Sequence, residues 1–332
     1  MVKQYSQLYS DTRRQILTVE EEPYASQLAR QIVCHFSGKT HAQFLLERDH
    51  YASYAVCAAV EDAVRRVLAQ EPLAYIFGEW SFFGLDLYVD HNVLIPRDDT
   101  CALAELAMRK GIFEKADPRI LDLCTGSGCI GLAVASRIPQ AKVTLADISE
   151  QALVVAKKNV SRLSLTGRVS CIRVDALKPA PAYLGKYDMI LSNPPYITTE
   201  EMKTLPASVQ DYEPHLALCG GDDGLVFYRS IVENFTAALQ PGGYLCFEFG
   251  EGQGDDICSI LEEHRYSILD RVHDFNDTER AVLARYDRKE DELWLRKNPL
   301  MNPPFLQWIR RRPCRLQSHR SKRVMVRALS CA

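Results

Sequence analysis

The sequence predicts an α/β fold: a doubly wound, mostly parallel sheet of seven strands with an antiparallel edge, preceded by a small helical domain. Three observations carry this. From Arg119 onward, short apolar runs of strand length alternate with segments of helical period, the pattern of a parallel sheet covered on both faces. Two late strand-like runs, near Ile268 and Ala281, have no helix between them, only Asn276-Asp277, so they should pair antiparallel at one edge. Residues 1–77 hold no convincing strand, and their apolar residues recur at helical spacing.

In that first region Leu28, Ile32 and Phe36 form one stripe, and Val56, Val60, Val64 and Leu68 another, consistent with four or five helices. Thr40 is the expected N-cap of the segment carrying Phe44 and Leu45. Between Ala74 and Pro96 aromatic and β-branched residues cluster around Gly78 and Gly84, predicting a β-hairpin that links two domains. The polar end of Ile95-Pro96-Arg97-Asp98-Asp99-Thr100 should cap a helix through Leu103 and Leu106. Strands follow at 120–123, 143–147, 169–174, 187–191 and 244–249, with helices at 130–138, 150–163 (capped by Ser149), 223–239 and 255–264. The expected organisation is a helical recognition domain over 1–77, the hairpin over 78–96, a catalytic domain over 97–290 and a basic tail over 291–332.

Composition narrows the class. No apolar run approaches the roughly 18 residues of a membrane span, and the N-terminus lacks a signal peptide's apolar centre, so a cytoplasmic protein without membrane contact is expected. The 11 cysteines include no CxxC pair and the eight histidines no HExxH spacing, so reduced thiols and no metal are expected. From Leu293 to Ala332 there are ten Lys and Arg and no acid, which leaves −13 on the rest of a chain whose formal charge is −3. An acidic body argues against broad nucleic-acid binding, which needs a basic face.

The chemistry should sit at two strand ends. Tyr187 to Leu191 is an apolar strand stopped by Ser192-Asn193-Pro194-Pro195-Tyr196, at the carboxyl end where open α/β sheets keep their ligands. The side-chain oxygen of Asn193 and the carbonyl of Pro194 offer two acceptors in a rigid arc, suited to a planar NH2, and Tyr196 offers a flat face. After the first strand, Cys124-Thr125-Gly126-Ser127-Gly128 leads into a helix; Gly126-x-Gly128-x-x-Gly131 satisfies the dinucleotide fingerprint, and Asp147 lies about twenty residues on, where a carboxylate would bind ribose hydroxyls. Alone, that fingerprint allows a nicotinamide dehydrogenase, an S-adenosylmethionine enzyme or a tight turn. Asp122 discriminates together with the ending of the fourth strand: the acid would sit beside an amino or sulfonium end but would repel a pyrophosphate, and hydride transfer gains nothing from Asn193-Pro194-Pro195-Tyr196.

Asn193-Pro194-Pro195-Tyr196 resembles the signature of methyltransferases acting on planar nitrogen. Ile95-Pro96-Arg97, the stretch Asp122 to Gly128, and Tyr212-Glu213-Pro214-His215-Leu216-Ala217-Leu218 followed by Gly220-Gly221 and Asp223-Gly224 resemble the release factor glutamine methyltransferases, the HemK/PrmC type, over roughly residues 5–290. The resemblance implies a class I methyltransferase sheet, S-adenosylmethionine as donor, and the glutamine of a Gly-Gly-Gln tripeptide in peptide chain release factors as acceptor. It implies a cofactor site at Asp122, Cys124, Thr125, Gly126, Ser127, Gly128, Asp147 and Asn193, with Asp175 or Ala176 near the adenine. The glutamine would meet Asn193, Pro194, Pro195 and Tyr196. Cys124 stands where the family usually has glycine, and Asp98-Asp99-Thr100-Cys101 loses a carboxylate of the family's pattern. A nucleobase exocyclic-amine methyltransferase, or a catalytically idle binder of release factors or ribosomes, is the alternative. A monomer is expected, with ribosomal RNA the one nucleic-acid partner that the basic tail would suit.

Overall fold

The computed structural model describes residues 2–109 and 115–287; the basic tail lies outside them. The described chain forms two compact units that divide at Val64/Arg65.

In the first unit lie α1 (Tyr5–Ile16), α2 (Tyr24–Ser37), α3 (His41–Leu46) and the start of α4 (Tyr54–Leu68). Leu8, Ile16, Leu28, Ile32, Val60 and Val64 are buried, so the 3.6-residue stripe is the core face. Gly38 ends α2 in the left-handed conformation, which costs a residue without Cβ little. Thr40 then caps α3 in a reciprocal box: its hydroxyl accepts from the Gln43 N–H at 3.3 Å, and Gln43 Oε1 accepts from the Thr40 N–H at 2.8 Å.

The second unit contains α5 (Leu73–Phe77) and the hairpin of β1 (Glu79–Phe82) and β2 (Leu85–Tyr88). Phe83 and Gly84 turn it with φ of 53° and 76°, the positive pair whose twist matches an antiparallel ribbon. A 3-10 turn over Asp98–Thr100 opens α6 (Cys101–Met108), but no side chain caps it. This corrects the expected cap; the Thr100 hydroxyl is engaged by Asn193 instead.

The seven-stranded sheet comprises β3 (Arg119–Leu123), β4 (Lys142–Asp147), β5 (Val169–Arg173), β6 (Tyr187–Ser192), β7 (Leu239–Glu248), β8 (Tyr266–His273) and β9 (Glu279–Tyr286), in the order β5-β4-β3-β6-β7-β9-β8. The first five are parallel, and β9 pairs antiparallel with both β7 and β8. Helices α6, α7 (Cys129–Arg137) and α8 (Glu150–Arg162) cover one face, where Ile120 and Leu145 pack. After the short α9 (Ala207–Gln210), α10 (Val226–Phe235) and α11 (Gly254–Glu263) cover the other, where Leu121, Ile190 and Phe247 pack. Burial on both faces is why these strands read as unbroken apolar runs.

Two boundaries move. The helix expected over 223–239 starts only at Val226, since Gly224 has φ 72° and the Asp223 carboxylate accepts from the Leu225 N–H in a turn. It ends in a 3-10 turn before Leu239, where β7 begins five residues earlier than expected. Among the described residues no helix is long and apolar enough to cross a membrane, and no cluster of His, Cys, Asp or Glu is placed to hold a metal ion.

Candidate active site

Strand order reverses between β3 and β6, and side chains from the carboxyl ends of both strands border one cavity of about 280 Å³ in the second unit. The loop Cys124 to Ser127 forms one wall. Its chain is held in an unusual path: φ is 61° at Cys124, 53° at Gly126 and 85° at Gly128. A Cβ on Gly131, one turn into α7, would lie 2.4 Å from Leu145 and 2.9 Å from Asp122, so glycine here lets the helix start press against the sheet. Asn159, fully buried on α8, braces the loop from behind. Its amide donates to the Ser127 and Tyr88 carbonyls at 2.9 Å each, and its oxygen accepts from the Tyr88 N–H at 2.7 Å.

Asp147, at the tip of β4, faces the cavity while its two oxygens accept from the Gly126 and Ser149 N–H groups, each at 2.9 Å. Burial raises its pKa. Each oxygen keeps a further lone pair for a ligand hydroxyl. Asp175, Ala176, Leu177, Ile148 and Phe227 continue the wall as a mostly apolar slot. Asp122 lies elsewhere: it is wholly enclosed beneath the loop, with Oδ2 accepting from the Thr125 hydroxyl at 2.6 Å and the Gly131 N–H at 2.9 Å. Burial pushes its pKa up to about 7, and Oδ1 has no partner. It shapes the loop from below, and neither it nor Gly128 borders the cavity.

On the acceptor side, Asn193 and Pro195 border the cavity, and Pro194 and Tyr196 do not. Asn193 Nδ2 donates to Thr100 Oγ1 at 3.4 Å. Tyr196 is half-buried against Gly250, and its carbonyl accepts from Gln253 Nε2 at 3.0 Å. Burial raises its phenol to about 12. The chain after Tyr196 is stitched to the segment 218–221: Ile197 N–H to Leu218 carbonyl at 3.0 Å, Gly220 N–H to Ile197 carbonyl at 2.8 Å, and Thr199 N–H to Gly221 carbonyl at 3.0 Å.

Several partnerships at this site have no signature in sequence. Glu213, 3% exposed, pairs with Arg97 and accepts from the Ile95 N–H at 3.1 Å, so it clamps two cavity walls together. Thr100, Asn159 and Glu248 are likewise reached only through folding. The Glu213 pair was within reach, since an acid and an arginine stood in two separately recognised stretches, but nothing local joined them.

Family models match the chain twice, the PrmC N-terminal domain over residues 12–78 and the methyltransferase small domain over 104–213. A release factor glutamine methyltransferase of Chlorobaculum tepidum is 35% identical, over 79% of this chain and 90% of that protein. One of Agrobacterium fabrum is 34% identical, over 77% and 89%. One of Clostridium acetobutylicum is 39% identical, over 64% and 74%. Among solved structures, the hMettl16 catalytic domain in complex with a MAT2A 3'UTR hairpin is 14% identical with a TM-score of 0.50, over 73% of this chain and 86% of that one; this likeness concerns the fold alone. By length and identity of these matches, the chain belongs to the release factor glutamine methyltransferase family.

Proposed function

We propose that the chain methylates the side-chain amide nitrogen of the Gly-Gly-Gln glutamine in peptide chain release factors, using S-adenosylmethionine. The observation that carries the reading is Asn193, an amide at the tip of β6, bordering the same cavity as Asp147 at the tip of β4. S-adenosylmethionine, when bound, supplies an electrophilic methyl group on a positively charged sulfur. The cradle suits it: a loop of positive φ, a carboxylate with lone pairs to spare for ribose hydroxyls, and an apolar slot at Ile148, Ala176 and Phe227 for a flat base. Asp175 borders the slot's rim, with Oδ1 already accepting from the Leu177 N–H at 2.9 Å.

An amide nitrogen is a poor nucleophile, and no single base deprotonates it readily near neutral pH. The chain's contribution is therefore positioning. On this reading Asn193 Oδ1 accepts one N–H of the glutamine at the cavity wall, and the Pro194 carbonyl and Tyr196 ring, which do not border the cavity, meet the amide only from beyond that wall. Positive charge developing on the nitrogen as it takes the methyl group then meets dipoles that are already oriented, and the nitrogen returns to a neutral amide by losing one N–H proton to water. Residues 1–77 serve recognition of the release factor. The chain acts as a monomer in the cytoplasm, and ribosomal RNA, if met, is met by the basic residues beyond 293.

The direct test is transfer of labelled methyl to a Gly-Gly-Gln-containing release factor, run beside DNA and RNA. Label in the release factor glutamine is expected; label in nucleic acid alone would assign the site to base amines. Asp147→Ala should weaken S-adenosylmethionine binding by about 1–3 kcal/mol, the scale of hydrogen bonds to a charged group. Titration calorimetry checks this, and unchanged affinity would remove Asp147 from the ribose.

A further inference from the structure

A planar amide presents an acceptor at one end and a donor at the other, and only its hydrogen-bond partners decide which end faces a ligand. Asn193 must present Oδ1 to receive a substrate N–H. Beside it, at the end of β7, stands a carboxyl group that plays no part in the reading above. The register pairs Ser192 with Phe247, so Asn193 and Glu248 are the next residues on neighbouring strands. Glu248 is 1% exposed, does not border the cavity, and its Oε2 has no partner. Thr100 and Asn193, themselves joined at 3.4 Å, lie close enough to this carboxyl group to hold its pKa down.

We propose that Glu248 is a positioning residue that orients Asn193: its carboxylate, with the Thr100 hydroxyl, draws Nδ2 away from the cavity and leaves Oδ1 for the substrate. This rests on the reading that Oδ1 receives the glutamine N–H. The ionised form is required, because a carboxylate only accepts, whereas a neutral carboxyl can donate to Oδ1 and turn the amide around.

The fold works against that form. Burial raises the Glu248 pKa to about 8, opposed by the nearby Thr100 hydroxyl, by Arg280 and by the Asn193 amide. The groups facing it are Asp99 ahead of α6, Cys101 on α6, Cys129 on α7, Tyr196 after β6, Tyr228 on α10 and Arg280 on β9. Burial raises the two thiols and the two phenols, so they stay neutral, and the charged neighbours are Arg280 and Asp99, an ion pair at 3.8 Å. A positive charge in the cavity shifts Glu248 toward the carboxylate.

The sign for stability follows. The folded pKa lies above the ordinary carboxylate value of 4.5, so the native state holds the extra proton, and stability is lost as pH rises from about 4.5 through about 8. Catalysis should show the opposite trend, with kcat rising over the upper part of that window.

The test is Glu248→Gln, an isosteric change that can donate as well as accept. We expect kcat to fall about 10- to 100-fold, as for a small misplacement of a reacting group, with S-adenosylmethionine affinity unchanged. The rise of kcat with pH should flatten, and the melting temperature should fall less than in the parent as pH rises through about 8. Thr100→Val removes the other partner of the same amide, so the two losses should be non-additive in the double variant. If Glu248→Gln does not fold, the Thr100→Val pH profile carries the test, with a lower kcat and a pH midpoint displaced from the parent's. Full kcat in Glu248→Gln, an undisplaced Thr100→Val midpoint, or strictly additive losses would overturn the proposal. Asn193→Ala separates the levels: if it is slow while Glu248→Gln is not, only this inference fails, and if it is fast, the reading of Asn193 itself fails.

Discussion

Asn193→Ala should lower turnover by two to three orders of magnitude, about 3 kcal/mol in the transition state, while cofactor affinity stays nearly intact. On the proposed reading the substitution removes an acceptor that is already oriented toward the reacting nitrogen, and a preorganised dipole of this kind has no substitute ready when charge develops. Its size also differs from what a merely structural asparagine would show, because the amide makes only one long bond, to Thr100 at 3.4 Å, and little folding energy hangs on it. Single-turnover methyl transfer and calorimetry on the same preparation decide the matter. A near-parent rate would mean that the amide does not touch the reacting nitrogen.

The second large effect comes from a residue without a side chain. A Cβ on Gly220 would lie 2.7 Å from the Pro195 carbonyl oxygen and 2.7 Å from the Tyr196 Cα, and backbone cannot give way as a flexible side chain can. Gly220→Ala should therefore push the whole Asn193 to Tyr196 stretch out of register. We expect kcat to fall about 100-fold, the usual consequence of a displacement near 1 Å, together with a stability loss of about 1–3 kcal/mol from overpacking. Gly167, around which a Cβ meets nothing within 4 Å, is the matched control, and Gly167→Ala should change neither. Equal behaviour of the two variants in thermal melts and turnover would show that the loop yields.

What was legible in sequence was what is local. The caps at Thr40 and Ser149 are declared within three or four residues of where they act, and the structure contains both. Asp147 and Gly126 lie 21 residues apart, close enough for the strand–loop–helix spacing to announce them. Thr100 failed as a cap because its hydroxyl answers to Asn193, 93 residues away, and no local pattern records such a partner. The Arg97–Glu213 pair spans 116 residues and Asn159–Tyr88 spans 71; each needs the sheet order before it can be seen. Glu248 reads in sequence as the middle of a strand, and only the β6–β7 register sets it beside the amide. Asp122 is a different case: the carboxylate was visible, but whether it points into the cavity or under the loop depends on which face of β3 its position occupies.

Because strand order reverses between β3 and β6, the tips of β3 and β4 carry the loop and Asp147 on one side of the cavity, while β6 carries Asn193 on the other, with Glu248 of β7 beside it but outside the cavity lining. The halves are built from separate stretches of chain. Substitutions at the β6 and β7 tips and in the residues between them can therefore change what the second half meets while the loop and Asp147 of the first half keep their own bonds. The segment from Asn193 to Leu225 is stitched to itself at 197–199 and 218–221, while Asn193, Tyr196 and Glu213 tie it to Thr100, Gln253 and Arg97, so those three outside partners set how it sits against the cavity.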